Sequence, residues 1–147
     1  MSLTPKEECE QLMNAILPLA EEMLANYGEF YPCGGAMTVE GEIVHISAKG
    51  ETDHPPSQDL IDLLKDSFRS RRNEYRATAI VADVKTVPPG SQAKTDAIQV
   101  LLDHKGGYSV EVFFPYEIMG GKAVFSEPFA AEGQDLILER LRNYAQA

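Results

Sequence analysis

The chain has 147 residues with 13 Lys and Arg against 23 Asp and Glu, a formal charge of −10, and such a field repels phosphate backbones, which argues against nucleic-acid binding. Hydrophobic residues at 44% and charged residues at 24% are those of an ordinary globular protein, so a single domain over residues 1–147 can bury a core without a metal, cofactor or disulfide. Apolar runs far short of the ~20 residues that span a bilayer, and the lack of a basic-then-apolar leader, lead to the expectation of a cytoplasmic protein with no membrane contact.

Thr4-Pro5-Lys6-Glu7 has the form of a capping box with proline at the first helical position, where its missing N–H costs nothing. Cys9, Leu12, Met13, Ile16, Leu19, Ala20, Met23, Leu24 and Tyr27 then recur at steps of three and four, predicting a helix that Gly28 ends and Pro18 kinks. Phe30–Val39 and Glu42–Ala48 flank Glu40-Gly41 and predict a hairpin, with Pro32 holding the first strand at an edge. The polar stretch from Lys49 to Pro56 predicts a loop. Ser57 is expected to cap a second helix that runs to about Asn73 and buries Leu60, Ile61, Leu64 and Phe68. Arg69, Arg71 and Arg72 gather at its end, where the helix dipole favours cations.

Tyr75–Val87 and Thr95–His104 have strand composition and are separated by Pro88-Pro89-Gly90-Ser91. After Lys105-Gly106-Gly107, a strand over Tyr108–Tyr116 is predicted; a three-residue loop sets Val100 opposite Val112, Leu102 opposite Val110 and His104 opposite Tyr108. A short strand over Lys122–Phe125 and a helix over Glu132–Tyr144 complete the order α-β-β-α-β-β-β-β-α. Hairpin-linked strands between helices indicate an α+β domain, a mainly antiparallel sheet with the helices on one face.

Chemistry is sparse. Cys33, in the stretch EFYPCGGAM, has neither a helix N-terminus nor a cationic neighbour to lower its pKa, and its glycines precede a strand-like run instead of a helix start. His45, His54 and His104 are dispersed and show no metal-site spacing. No nucleophile elbow, phosphate loop or dinucleotide fingerprint is present.

The sheet's second face is more informative. In the register above, Ile98, Val100, Leu102, Val110, Val112 and Phe114 point toward the helices, while Gln99, Leu101, Asp103, Ser109, Glu111 and Phe113 point away. Ala79, Val81, Asp83 and Lys85 of the preceding strand are assigned to the outer set. The expected contact surface therefore comprises Val81, Asp83, Gln99, Leu101, Asp103, Ser109, Glu111 and Phe113, with Phe113 and Tyr31 as aromatic anchors. Its expected partner is a basic protein, and a homodimer stays open. The competing expectation is an enzyme or small-ligand protein with a pocket built from Tyr31, Cys33, His45 and His54.

In the segments Gly28-Glu29-Phe30-Tyr31-Pro32, Thr95-Asp96-Ala97-Ile98, Asp103-His104, Gly107-Tyr108-Ser109-Val110 and Glu127-Pro128-Phe129-Ala130, the chain resembles small uncharacterised bacterial proteins, some of them similar to immunity proteins paired with secreted toxins. That resemblance implies inhibition of a partner protein and carries no catalytic motif. Size, acidity and element order are also similar to the chaperones of type III secretion, which bind effector segments, but only two strands here precede the middle helix.

Overall fold

The computed structural model describes residues 3–47 and 56–133. Helix α1, Pro5–Tyr27, is one continuous helix through Pro18. Its capping box is formed: Glu7 N donates to Thr4 Oγ1 at 3.1 Å, and Thr4 N donates to Glu7 Oε1 at 3.0 Å. Gly28 closes it in the left-handed conformation at φ 76°, donating its N–H to Leu24 O.

Strands β1, Cys33–Thr38, and β2, Ile43–Ser47, form the expected hairpin. Helix α2 covers Ser57–Ser70, and a single 3-10 turn, Arg72–Glu74, leads into β3, Tyr75–Thr86. Ser57 does not cap α2; the cap position is Pro56, which makes no side-chain cap bond. Arg72 Nη1 donates to Arg69 O at 3.0 Å, so one of the clustered arginines satisfies a C-terminal carbonyl of the helix.

Strands β4, Thr95–His104, and β5, Tyr108–Met119, pair in the predicted register, with Val100 opposite Val112 and His104 opposite Tyr108. A two-residue turn of Gly120 and Gly121, both with positive φ, starts β6, Lys122–Phe125. Strand β7, Phe129–Glu132, was not expected: Glu132 ends a strand instead of starting a helix, Gly133 donates its N–H to Ser109 O at 3.1 Å, and residues 134–144 of that predicted helix lie outside the described residues.

All pairings are antiparallel, in the order β2-β1-β3-β4-β5-β6, and β7 also pairs with β5. Strand β6 borders Tyr116–Met119 and β7 borders Val110–Phe113, so the two follow one edge of β5 in succession. Between them Ser126 N donates to Pro115 O at 2.9 Å and keeps the chain on that edge. The domain is α+β and mainly sheet.

The two described α-helices lie on opposite faces, which departs from the one-face expectation. Cys9, Leu12, Ile16, Ala20 and Leu24 of α1 pack with Met37, Ala77, Ala79, Val81, Ile98, Val100 and Leu102. On the reverse side Ile61, Leu64 and Phe68 of α2 pack with Ala36, Tyr75, Ile80 and Ala82. The reason is legible in β3: the run ATAIVADV at 77–84 lacks polar alternation, as a strand covered on both faces should. Pro32 precedes β1 and costs no ladder bond, so β1 sits between β2 and β3 and not at an edge.

The glycines of β1 follow from this sandwiching. A Cβ on Gly35 would overlap the Ile16 side chain of α1, and a Cβ on Gly34 would stand 2.9 Å from Ala79 O and 3.1 Å from Phe68 Cζ of α2. Each glycine therefore admits a helix to one face of the same strand.

Candidate functional site

The expected contact residues divide between the two faces. Gln99, Leu101, Asp103, Ser109, Glu111 and Phe113 share the α2 face, as their cross-strand pairs require: Gln99 opposite Phe113, Leu101 opposite Glu111, Asp103 opposite Ser109. Val81 and Asp83 do not join them. Val81 pairs with Val100 and is fully buried beneath α1, and Asp83 pairs with Ile98 on that same face. Assigning β3 to the wrong face by one residue is the error that a strand buried on both sides invites. Asp103, at 3% exposure, is part of the interior and not an accessible charge.

Helix α2 packs chiefly on β1 and β3, with Leu101 of β4 at the border of that cluster, and beyond it the face formed by β5 and β7 has no helix packed on it among the described residues. There Phe113 stacks on Phe129 of β7, with ring centroids 4.9 Å apart and planes 14° from parallel. Gln99 Nε2 donates to Glu111 Oε1 at 3.3 Å, positioning the carboxylate beside the rings. Toward the far end of β5 the face continues into a groove of about 530 Å³ with Pro88, Pro89, Pro115 and Pro128 in its walls, Phe129 at one side and Glu117 and Glu127 at its rim. Phe129 was missed because its strand was missed; the signal available was Pro128 followed by Phe-Ala-Ala, a short apolar run after a breaker.

A second polar site lies on the α1 face, where the end of α1 meets β3 and β5. Tyr116 Oη donates to Asp83 Oδ1 at 2.6 Å. Burial pushes the Asp83 carboxyl above its ordinary value, the Tyr116 bond opposes this, and Asp96 and Glu29 add to the rise. The Tyr116 phenol is likewise driven up, by burial first and then by Asp83. Lys85 Nζ contacts Asp96 Oδ1 at 3.0 Å. Tyr31, the other expected anchor, is half exposed beside this site and remote in sequence from Phe113.

The residues of the alternative pocket do not assemble into a nucleophilic centre among the described residues. Cys33 packs against the α1 core, and burial holds its thiol above the ordinary 9.0. His45 lies opposite Gly35 on β2, Tyr31 lines the α1-end cleft, and His54 lies outside the described residues. His104 is buried in a structural role: Gly106 N donates to Nδ1 at 2.8 Å, so the proton resides on Nε2, which is 2.9 Å from Glu8 Oε1. No group of three or more His, Cys, Asp or Glu among the described residues has metal-binding geometry, and no described helix is long and apolar enough to cross a membrane. Comparison of the chain with protein families, curated proteins and solved structures finds no match.

Proposed function

We propose that the chain is an acidic binding protein that neutralises or escorts a basic protein, as an immunity or inhibitor protein does, and that the partner docks on the β4–β5–β7 face. The observation that carries the reading is the stacked Phe113–Phe129 pair, set on a sheet half with no described helix above it and flanked by Glu111, Glu117 and Glu127. Aromatic anchors within a polar, single-sign rim are the composition of a protein contact, and a stable one buries roughly 600–1,000 Å² on each partner. The net charge of −10 selects the partner's sign and hastens its approach.

The test is a footprint. A basic protein recovered with the chain from its source cells is purified, and amide exchange of the full chain is compared with and without it. Slowed exchange concentrated in β4, β5 and β7, together with at least tenfold weaker binding by Phe129→Ala, is the expected result. Protection confined to α1 or β2, unaltered affinity of Phe129→Ala, or recovery of no basic protein would overturn the reading.

A further inference from the structure

The end of α1 carries a feature that the β4–β5–β7 contact does not use. Two adjoining clefts of about 480 and 360 Å³ share Glu29 and Asp83 as a common wall. The larger is walled by Met23, Tyr27, Phe30 and Tyr31, with Tyr27 76% and Tyr31 49% exposed. The smaller adds Asp96 and Lys85.

Three independent contributions make this space favourable to positive charge. The last turn of α1 ends beside it and contains no basic residue, so the negative end of that helix dipole is uncompensated by its own side chains. Three carboxylates, Glu29, Asp83 and Asp96, border the two clefts against one ammonium, Lys85, which is 3.0 Å from Asp96. Ser57 at the start of α2 also borders the larger cleft, but Asp59 in the same first turn offsets that helix's positive end. Aromatic faces next to carboxylates attract a cation through the ring quadrupole as well as through charge, worth about 0.5–2 kcal/mol per ring according to desolvation.

We propose that this cleft binds an organic cation, a guanidinium or alkylammonium group, with the charge between Glu29 and Asp83 and the carbon stem against Tyr27 and Tyr31. The site is on the opposite sheet face from the proposed docking surface and stands or falls separately from it. Burial first, and then Asp96 and Glu29, raise the Asp83 carboxyl, and a bound cation would offset the repulsion from those two acidic neighbours.

The experiment is an NMR titration of the full chain with three probes: butylguanidinium, acetyl-Gly-Arg-Gly-amide, and the citrulline analogue of that peptide, which has the same shape and no charge. Saturable shifts confined to amides around Tyr27, Glu29, Tyr31 and Asp83 are expected with the two cations and not with citrulline. Binding at least fivefold weaker is expected in Asp83→Asn and in Tyr27→Leu. Tyr27 is exposed enough that its loss leaves the fold intact. Tighter binding of the peptide identifies a side chain of a basic protein as the source, and tighter binding of butylguanidinium a free small molecule. Equal shifts with citrulline, shifts scattered over the acidic surface, or wild-type binding by both variants would overturn the proposal.

Discussion

Glu8 joins three parts of the chain. It accepts from Arg76 Nη1 at 2.8 Å and from His104 Nε2 at 2.9 Å, partners 68 and 96 residues away, while Arg76 Nε donates to Thr38 O at 3.1 Å. Burial alone would raise the Glu8 carboxyl, but the His104 and Arg76 bonds outweigh it and hold it below the ordinary 4.5. Its folded value lies under its unfolded one, so its stabilisation is present above pH 4.5 and lost as pH falls through the folded value. Asp83 has the opposite sign: its raised carboxyl makes stability decline as pH climbs from 3.8 through the folded value. Urea midpoints against pH should therefore show a flatter acid limb in Glu8→Gln and a smaller loss above pH 3.8 in Asp83→Asn; parallel curves for wild type and variants would refute both assignments. The thiols give a second check. Burial pushes Cys9 up to about 12 and raises Cys33 above 9.0, so both should react slowly with a disulfide reagent at pH 8 and at the ordinary rate once unfolded. A rapid reaction of folded Cys33 would reopen the enzymatic alternative. None of these contacts was visible in the sequence, because each depends on residues that only the fold brings together.

Among the elements, those set by local chemistry were legible. The capping box, the buried side of α2 and the three-residue loop between β4 and β5 follow from short-range rules and stand as expected, as does the α1 stripe at Cys9, Leu12, Ile16, Ala20 and Leu24, whereas Leu19 and Tyr27 of that pattern are exposed. What failed required knowing which strand lies between which. The double coverage of β1 and β3 sent α2 to the reverse face and moved Val81 into the core. Strand β7 is four residues of Phe-Ala-Ala-Glu, too short for its alternation to be read, and among the described strands it pairs with β5. The glycines beside Cys33, which the sequence placed at the start of a strand, are points of close helix approach. Gly35→Ala should cost about 1–3 kcal/mol by overpacking against Ile16, whose Cγ1 would be 2.8 Å from the new carbon. Adding Ile16→Val should recover part of that cost in a double-mutant cycle. Simple additivity of the two changes in urea unfolding would contradict this account of the helix contact.

For the whole molecule, the charge of −10 and the placement of the helices act together. Helix α1 packs on one face and α2 on the β1–β3 half of the other, and on the β4–β5–β7 half, which carries no helix among the described residues, two rings stack beside Glu111. The sequence signalled the acidity and placed six of the eight expected contact residues on one face; it could not signal that Asp103, one of those six, would be interior or that Phe129 would complete the aromatic pair. On the proposed docking face the charges that would steer a partner are Glu111, Glu117 and Glu127, since Asp83 lies on the other face and Asp103 is interior. The decisive measurement is the association rate of the basic partner with the wild-type chain and with Glu111→Lys/Glu117→Lys/Glu127→Lys across a range of salt. Electrostatic steering predicts a rate at least tenfold lower for the triple variant at low salt and a flattened salt dependence. Rates that coincide at every salt concentration would show that the partner docks elsewhere.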